Sequence, residues 1–145
     1  MTEQNEQITI AMAKGRLAEQ TMELMEGMGI DVSPLREKSR KLVFESADGK
    51  YRYIMVKPSD VPTYVDHGVA DVGIVGKDTL MEENRPLYEM LDLGFGKCSI
   101  CVCGYAKQEP LKKAHIRVAT KYTGIAGQVF ATRGSSIEII KLNGS

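Results

Sequence analysis

The stretch Val56–Leu80, "VKPSDVPTYVDHGVADVGIVGKDTL", decides the fold class. It leaves an apolar run at Val56 and turns through Lys57–Asp60. It then enters a helical segment with Pro62 in the first turn and Gly68 as the stop. Ser59 or Asp60 is the expected N-cap. "ADVGIV" follows as a buried strand, and Gly76-Lys77-Asp78 as a turn opening a second short helix. Strand ends that feed helix starts in this way are the mark of an α/β chain.

The same unit recurs on either side. Upstream, "ITIAMA" (Ile8–Ala13) is a short apolar strand, followed by the turn Lys14-Gly15-Arg16. Leu17, Thr21, Leu24, Met25 and Met28 then recur on one face of a helix that Gly29 ends. Between these units, "KLVFES" and "YRYIMV" flank Asp48-Gly49, a strong hairpin signal that makes the first sheet mixed. Downstream, "LYEMLDLGFGKCSICVCGYA" reads as extended segments punctuated by glycines, in which Asp92 either faces the site or, the favoured reading, caps a turn. "IRVAT", "GIAGQVFATRG" and "IEIIKL" then form another strand, helix and strand. The charged "AKQEPLKKAH" is the expected junction between lobes.

Composition narrows the function classes. The 145 residues are 43% hydrophobic, enough for a core, and 6% aromatic, too few for a base-stacking surface. Lys plus Arg and Asp plus Glu balance at 19 each, so no whole-molecule field draws the chain to nucleic acid or an anionic membrane. Any anion site must come from local clustering. No apolar run approaches membrane-spanning length and "MTEQNEQ" is polar rather than signal-like, so a soluble, cytoplasmic protein is expected.

Neither cysteine nor histidine chemistry is indicated. Cys98, Cys101 and Cys103 lie in "GKCSICVCG"; a redox pair needs a helix start and structural zinc needs four ligands. They are expected to be reduced, mostly buried thiols in an apolar strand. His67 and His115 share no ligand spacing, and no Ser-His-Asp arrangement is suggested. No residue is assigned as acid or base, and none as a metal ligand.

Three strand-to-helix turns carry the chemistry: Lys14 to Arg16, Lys57 to Asp60, and Gly76 to Asp78. Each supplies a cation with a small or hydroxyl residue beside free backbone N–H groups, a setting that suits anions. In an open α/β sheet such ends gather on one edge. A Lys-Gly turn standing alone is commonly only a solvated turn, and "SDVP" alone is a helix cap. Three together shift the balance toward a phosphate-rich ligand. There is no Walker A sequence and no G-x-G-x-x-G.

With "AMAKGRL", "SRKLVF", "VKPSDVPTYVDHGVADVGIVGKDTL", "YEMLDLGFGKCSICVCG", "RVATKY" and "IEIIKLNGS" collected, the chain resembles the short-form catalytic subunit of ATP phosphoribosyltransferase from about Ile8 to Ser145. The resemblance implies an α/β, two-lobe fold like type II periplasmic binding proteins, with mixed sheets and substrates in the cleft between the lobes. It implies that adenine N1 of ATP attacks the anomeric carbon of phosphoribosyl pyrophosphate. Pyrophosphate then leaves with Mg²⁺, in the first step of histidine biosynthesis. It also implies a regulatory partner resembling histidyl-tRNA synthetase, and a homo-oligomer.

Adenine N1 already carries a lone pair, so no dedicated base is demanded; rate must come from positioning two polyanions and stabilising the departing pyrophosphate. By similarity, Lys14, Gly15 and Arg16 sit where the family's "PKGR" turn meets substrate, with Arg40 of "SRKL" and Lys57 near the phosphates. Ser59, Asp60, Gly76, Lys77, Asp78, Thr120, Asn143, Gly144 and Ser145 complete the expected substrate-binding set. The chain departs from the family pattern at three places. Lys57 replaces the usual Arg, exchanging a two-pronged fork for a point charge. "AKGR" lacks the proline of "PKGR", and "TKYTGIAGQVF" lacks the proline and arginines common after "TKY".

Family members continue past "LNGS" into an acidic, Thr-Gly-rich loop that grips the phosphoribosyl 5-phosphate, and then return to the first lobe. The expected organisation is therefore a polar tail at 1–7, a first α/β lobe at 8–95 lacking its C-terminal return, and a partial second lobe at 96–145. The alternative to a transferase is a non-catalytic nucleotide- or anion-binding protein, or a partner-docking fragment, of the same fold.

Overall fold

Alternation along Ile10-Ala11-Met12-Ala13 builds the centre of the first unit. These residues belong to strand β1 (Ile8–Ala13), and all four are buried. Ile10 and Met12 face one way, Ala11 and Ala13 the other, as side chains on a strand must. A strand buried on both faces sits in the middle of a sheet with helices on either side.

The fold is α/β with a mixed first sheet. A computed structural model describes residues 7–37, 39–105 and 110–143. The expected polar tail falls almost wholly outside them, as does part of the expected junction after Tyr105. The chain divides into two compact units, Met1–Gly96 and Lys97–Ser145.

In the first unit, β1 leads to helix α1 (Arg16–Gly27), the short α2 (Ser33–Arg36), β2 (Val43–Glu45) and β3 (Tyr51–Val56). A 3-10 turn at Pro58–Asp60 runs directly into α3 (Val61–Asp66); β4 (Val72–Ile74) and α4 (Lys77–Glu83) follow. Among the described residues the sheet order is β2-β3-β1-β4. β1 pairs in parallel with β3 (Ala13 opposite Val56) and with β4 (Met12 opposite Ile74), while β2 runs antiparallel to β3. The Asp48-Gly49 hairpin is present, with Gly49 at φ +70°, a conformation that favours glycine.

Each sheet face has its own core. On one, Ile10, Met12 and Tyr53 pack with Ala18, Met22 and Met25 of α1 and with Val32. On the other, Ala11 and Ala13 pack with Val61 of α3 and with Ala70. The small residues on this second face let α3 approach closely. At Gly73 of β4 the fit is tightest: a Cβ there would lie 2.8 Å from Val61 Cγ1 and 2.9 Å from Val65 Cγ2.

Several expectations are corrected. The buried stripe of α1 is Ala18, Thr21, Met22 and Met25; Leu24 and Met28 are exposed. Thr21 and Met25 belong to both readings, but the helix is rotated so that Ala18 and Met22 meet the sheet. "ADVGIV" is not a buried strand: β4 lies at the sheet edge and Val72 is exposed. Asp60 is the N-cap residue of α3, one of the two expected, but its side chain makes no capping hydrogen bond: the 3-10 turn takes up the backbone groups, with the amide of Asp60 donating to the Lys57 carbonyl.

The second unit is a strand-helix-strand built from β5 (His115–Thr120), α5 (Thr123–Thr132) and β6 (Ser136–Lys141), preceded by a 3-10 turn at Pro110–Lys112. β5 and β6 are parallel and in register from His115–Ser136 to Thr120–Lys141. Ile116, Ile125 and Phe130 are its buried apolar side chains. The segment from Leu87 to Tyr105 forms no strand, although Gly94 and Gly96 bend it with positive φ. Cys98, Cys101 and Cys103 are free as expected, but exposed, which corrects the expected burial. An apolar run is buried only when a partner strand and a packed face cover it, and none of the described residues do so here. Asp92 does close a turn, accepting a 2.8 Å bond from the Gly94 amide.

Candidate functional site

Lys14 and Lys57 emerge side by side because β1 and β3 are parallel neighbours that end together. The Lys14 amide donates to the Val56 carbonyl at 3.4 Å, one step beyond the Ala13–Val56 register pair. β4 runs parallel on the other flank of β1, so the Gly76-Lys77-Asp78 turn leaves from the same sheet edge. Sheet order therefore brings the three sequence-predicted turns to one edge of the first unit, beyond the carboxyl ends of its parallel strands.

Arg40 joins them by register rather than by a turn of its own. β2 is antiparallel to β3 with Val43 opposite Ile54, and the Met55 amide donates to the Leu42 carbonyl at 2.8 Å. The chain entering β2 thus comes from the edge at which β3 leaves, and Arg40 lies on that entering segment, exposed.

The first turn is the most constrained. Gly15 adopts φ 110°, ψ −159°, a region open essentially to glycine alone, and caps α1 as its carbonyl accepts from the amides of Ala18 (2.9 Å) and Glu19 (3.3 Å). This conformation turns the chain from strand to helix in one residue, with the exposed Lys14 and Arg16 on either side. No side chain caps α1. Its first-turn amides and the positive end of its dipole therefore accompany these two cations.

The cations differ in their partners. Among the described residues, Lys14, Arg16, Arg40 and Lys57 form no salt bridge, whereas Lys77 pairs with Glu89. At the second turn, the Ser59 hydroxyl donates to Asp60 Oδ1 at 3.3 Å. At the third, a Cβ on Gly76 would run into the Asp78 carboxylate, which folds back over that glycine. Glu89 was not legible as part of this edge, since it lies twelve positions beyond Lys77, past the end of α4, with no sequence pattern linking the two. The described residues hold no group of three or more His, Cys, Asp or Glu side chains placed to bind a metal.

Thr120 and Asn143 belong to the second unit, at the carboxyl ends of its two strands. The Thr120 hydroxyl oxygen accepts from the Tyr122 amide at 3.0 Å, and the Thr120 carbonyl accepts from the Leu142 amide at 3.0 Å, next to the exposed Asn143. Gly144 and Ser145 lie outside the described residues.

Residues 57–145, well over half of the chain, match the family described as "HisG: ATP phosphoribosyltransferase". The chain belongs to this family. An ATP phosphoribosyltransferase of Alkaliphilus metalliredigens is 52% identical over 138 residues, covering 95% of this chain and 66% of that relative. One of Lachnospira eligens is likewise 52% identical, over 142 residues, with the same coverage. One of Bacillus cereus is 49% identical over 138 residues. The chain thus spans just under two thirds of the length of these relatives. Among solved structures, the ATP phosphoribosyl transferase (HisG:HisZ) complex from Thermotoga maritima contains a similar chain. Its TM-score is 0.69 at 28% identity, covering 95% of this chain and 65% of that one. No helix among the described residues is long and apolar enough to cross a membrane.

Proposed function

We propose that this chain carries the phosphate-binding edge of an ATP phosphoribosyltransferase, which transfers phosphoribosyl from phosphoribosyl pyrophosphate to N1 of the ATP adenine. The N1 lone pair forms the new bond to the anomeric carbon, while the bond to pyrophosphate breaks and the leaving group takes its electron pair. The observation that carries this reading is the meeting of Lys14, Lys57 and Lys77 with the glycine-only bend at Gly15 on one sheet edge. Family membership and relatives named for this activity support it.

In this reading the chain positions anions rather than moving protons. Lys14, Arg16, Arg40, Lys57 and Lys77 focus positive potential where the phosphates sit, although the net charge is zero. Gly15 and Gly76 let backbone approach them; Ser59, Asp60, Asp78, Thr120 and Asn143 orient ribose and phosphate oxygens. Gly144 and Ser145 extend the set. The described residues hold no cluster of three or more His, Cys, Asp or Glu side chains placed for a metal, so Mg²⁺ would be held mainly by the substrate phosphates, where it would supply charge neutralisation for the pyrophosphate.

We further assign residues 8–95 and 96–145 to the two lobes of a type II periplasmic-binding-protein-like fold. A second, regulatory subunit, a homo-oligomer and a cytoplasmic setting go with this reading; the similar Thermotoga maritima chain belongs to a HisG:HisZ complex. The alternative, a non-catalytic anion-binding or docking protein, lacks an equivalent support in the names of the relatives. The test is direct. Full-length protein with its partner, given ATP, phosphoribosyl pyrophosphate and Mg²⁺, should produce a new near-ultraviolet-absorbing adduct; absence of the adduct overturns the assignment.

A further inference from the structure

Lys77 is the cation of the candidate edge that arrives with its own counter-ion. Its ammonium pairs with the Glu89 carboxylate, while the other four cations form no salt bridge among the described residues. Glu89 is brought there by the fold. Arg85, just beyond α4, is held by Asp66 at the end of α3 at 2.6 Å, and the Leu87 amide donates to the Arg85 carbonyl at 2.8 Å. These contacts turn the chain leaving α4 back along the helix, so that Glu89 meets the residue at its start. Lys77 and Glu89 line one side of a cavity of about 170 Å³, walled also by Pro62, Leu80, Met81 and Tyr88.

We propose that Glu89 is a positioning residue for Lys77: a built-in counter-ion that a substrate phosphate displaces, setting phosphate affinity at this turn without touching substrate. The inference rests on the reading of Lys77 as a phosphate-facing cation. Paired with Glu89, Lys77 contributes less positive potential to the edge than the cations that form no salt bridge among the described residues. A phosphate group, carrying more charge than a carboxylate, competes for the ammonium and frees Glu89 to solvent. Both side chains are about half exposed, 62% for Lys77 and 46% for Glu89, so the competition is one between weakly coupled, hydrated groups. The expected effect of removing the counter-ion is accordingly small, about two- to five-fold in affinity.

The test is a double-mutant cycle in the full-length protein, with inorganic pyrophosphate as the probe and calorimetric Kd as the readout. Glu89→Gln should tighten pyrophosphate binding about two- to five-fold at low ionic strength, with the gain shrinking as salt rises. Lys77→Met should weaken binding. In the Lys77→Met background, Glu89→Gln should change nothing, because the effect passes through the lysine. An unchanged Kd in Glu89→Gln, or the same tightening with Lys77 replaced, overturns the proposal. The second outcome would mean that only long-range charge was at work. Matching far-ultraviolet dichroism and melting temperatures show that each variant is folded. Adduct formation by the wild-type protein separates the two readings. A protein that makes the adduct but fails the cycle sinks this inference alone. One that passes the cycle and makes no adduct sinks the transferase reading alone.

Discussion

The Lys14 amide donates to the Val56 carbonyl at 3.4 Å, which makes Lys14 and Lys57 neighbours although they stand forty-three positions apart in the chain. The contact is backbone to backbone, an extension of the β1–β3 ladder, so it sets the spacing of the two turns whatever their side chains do. The candidate edge is therefore as rigid as the strand pairing that ends there.

Gly15 is the residue where this rigidity is most easily broken. At φ 110° and ψ −159° any side chain strains the backbone, although a Cβ there meets no atom within 4 Å. Gly15→Ala should lower the unfolding free energy by about 1–3 kcal/mol, read from the urea midpoint at constant m-value. It should also lower kcat/KM by displacing Lys14 and Arg16. A neutral effect on both would show that the turn relaxes freely.

Gly73 tests the packing that seats α3, and with it the turn carrying Ser59 and Asp60. A Cβ placed 2.8 Å from Val61 Cγ1 overpacks the β4–α3 contact, so Gly73→Ala should cost about 1–3 kcal/mol. Adding Val65→Ala, which removes the second close methyl, should recover part of the loss. Without recovery, the close approach is not the cause.

Arg40 tests the sheet-edge site itself. It is exposed and placed at the edge only by the β2–β3 register, so its removal should spare the fold. Arg40→Ala in the full-length protein should lower kcat/KM for the proposed phosphoribosyl transfer about 10²–10³-fold, the scale of losing one oxyanion donor. A near-normal kcat/KM with an unchanged melting curve would remove it from the site.

Tyr53 predicts an alkaline limit to stability. Its ring is fully buried, its hydroxyl donates to the Asp31 carbonyl at 2.8 Å, and burial raises its pKa from the ordinary 10 to about 12. The folded state thus favours the neutral phenol. This contribution is fully present below pH 10 and is lost as pH rises from 10 toward 12. Tyr53→Phe should flatten that part of the stability profile while costing about 0.5–1.5 kcal/mol at neutral pH for the lost hydrogen bond. An unchanged alkaline limb would assign the loss to other groups.

Asp31 predicts the opposite limit. Its carboxylate accepts from the Ala47 amide at 3.0 Å, and from the Ser33 hydroxyl and amide at 2.6 and 3.0 Å, which holds its pKa below the usual carboxylate value. The stabilisation is present above the unfolded pKa of about 3.9 and is lost as pH falls through the lower folded value. Asp31→Asn should therefore be less stable than wild type at pH 7, and the gap should narrow on acidification below pH 4. A gap independent of pH would contradict this account.

Features with a local cause were legible along the chain. Asp48-Gly49 marked a hairpin because few residues accept a positive φ, and alternating Ile, Ala and Met marked β1 because a strand buries both faces only at the centre of a sheet. The phase of α1 was not legible. Leu17, Leu24 and Met28 lie beside Ala18, Met22 and Met25 on the same helix, both stripes are apolar, and only the sheet selects one. The cysteine segment misled for a related reason. An apolar run has strand character in any sequence, but burial depends on a partner that the run does not contain.

The candidate site divides along the same line. The cations, the glycine at position 15 and the strand-to-helix turns were settled by residue chemistry, since lysine, glycine and proline impose their charge and backbone limits wherever they stand. Their meeting on one edge was a tertiary result. It required β3 and β4 to flank β1 in parallel, pairings made between residues tens of positions apart, with β2 carried backwards beside β3 by the local hairpin. The Lys77–Glu89 pair is tertiary in the same sense, because only the return of the chain past α4, fastened by Arg85 and Asp66, brings those two charges together.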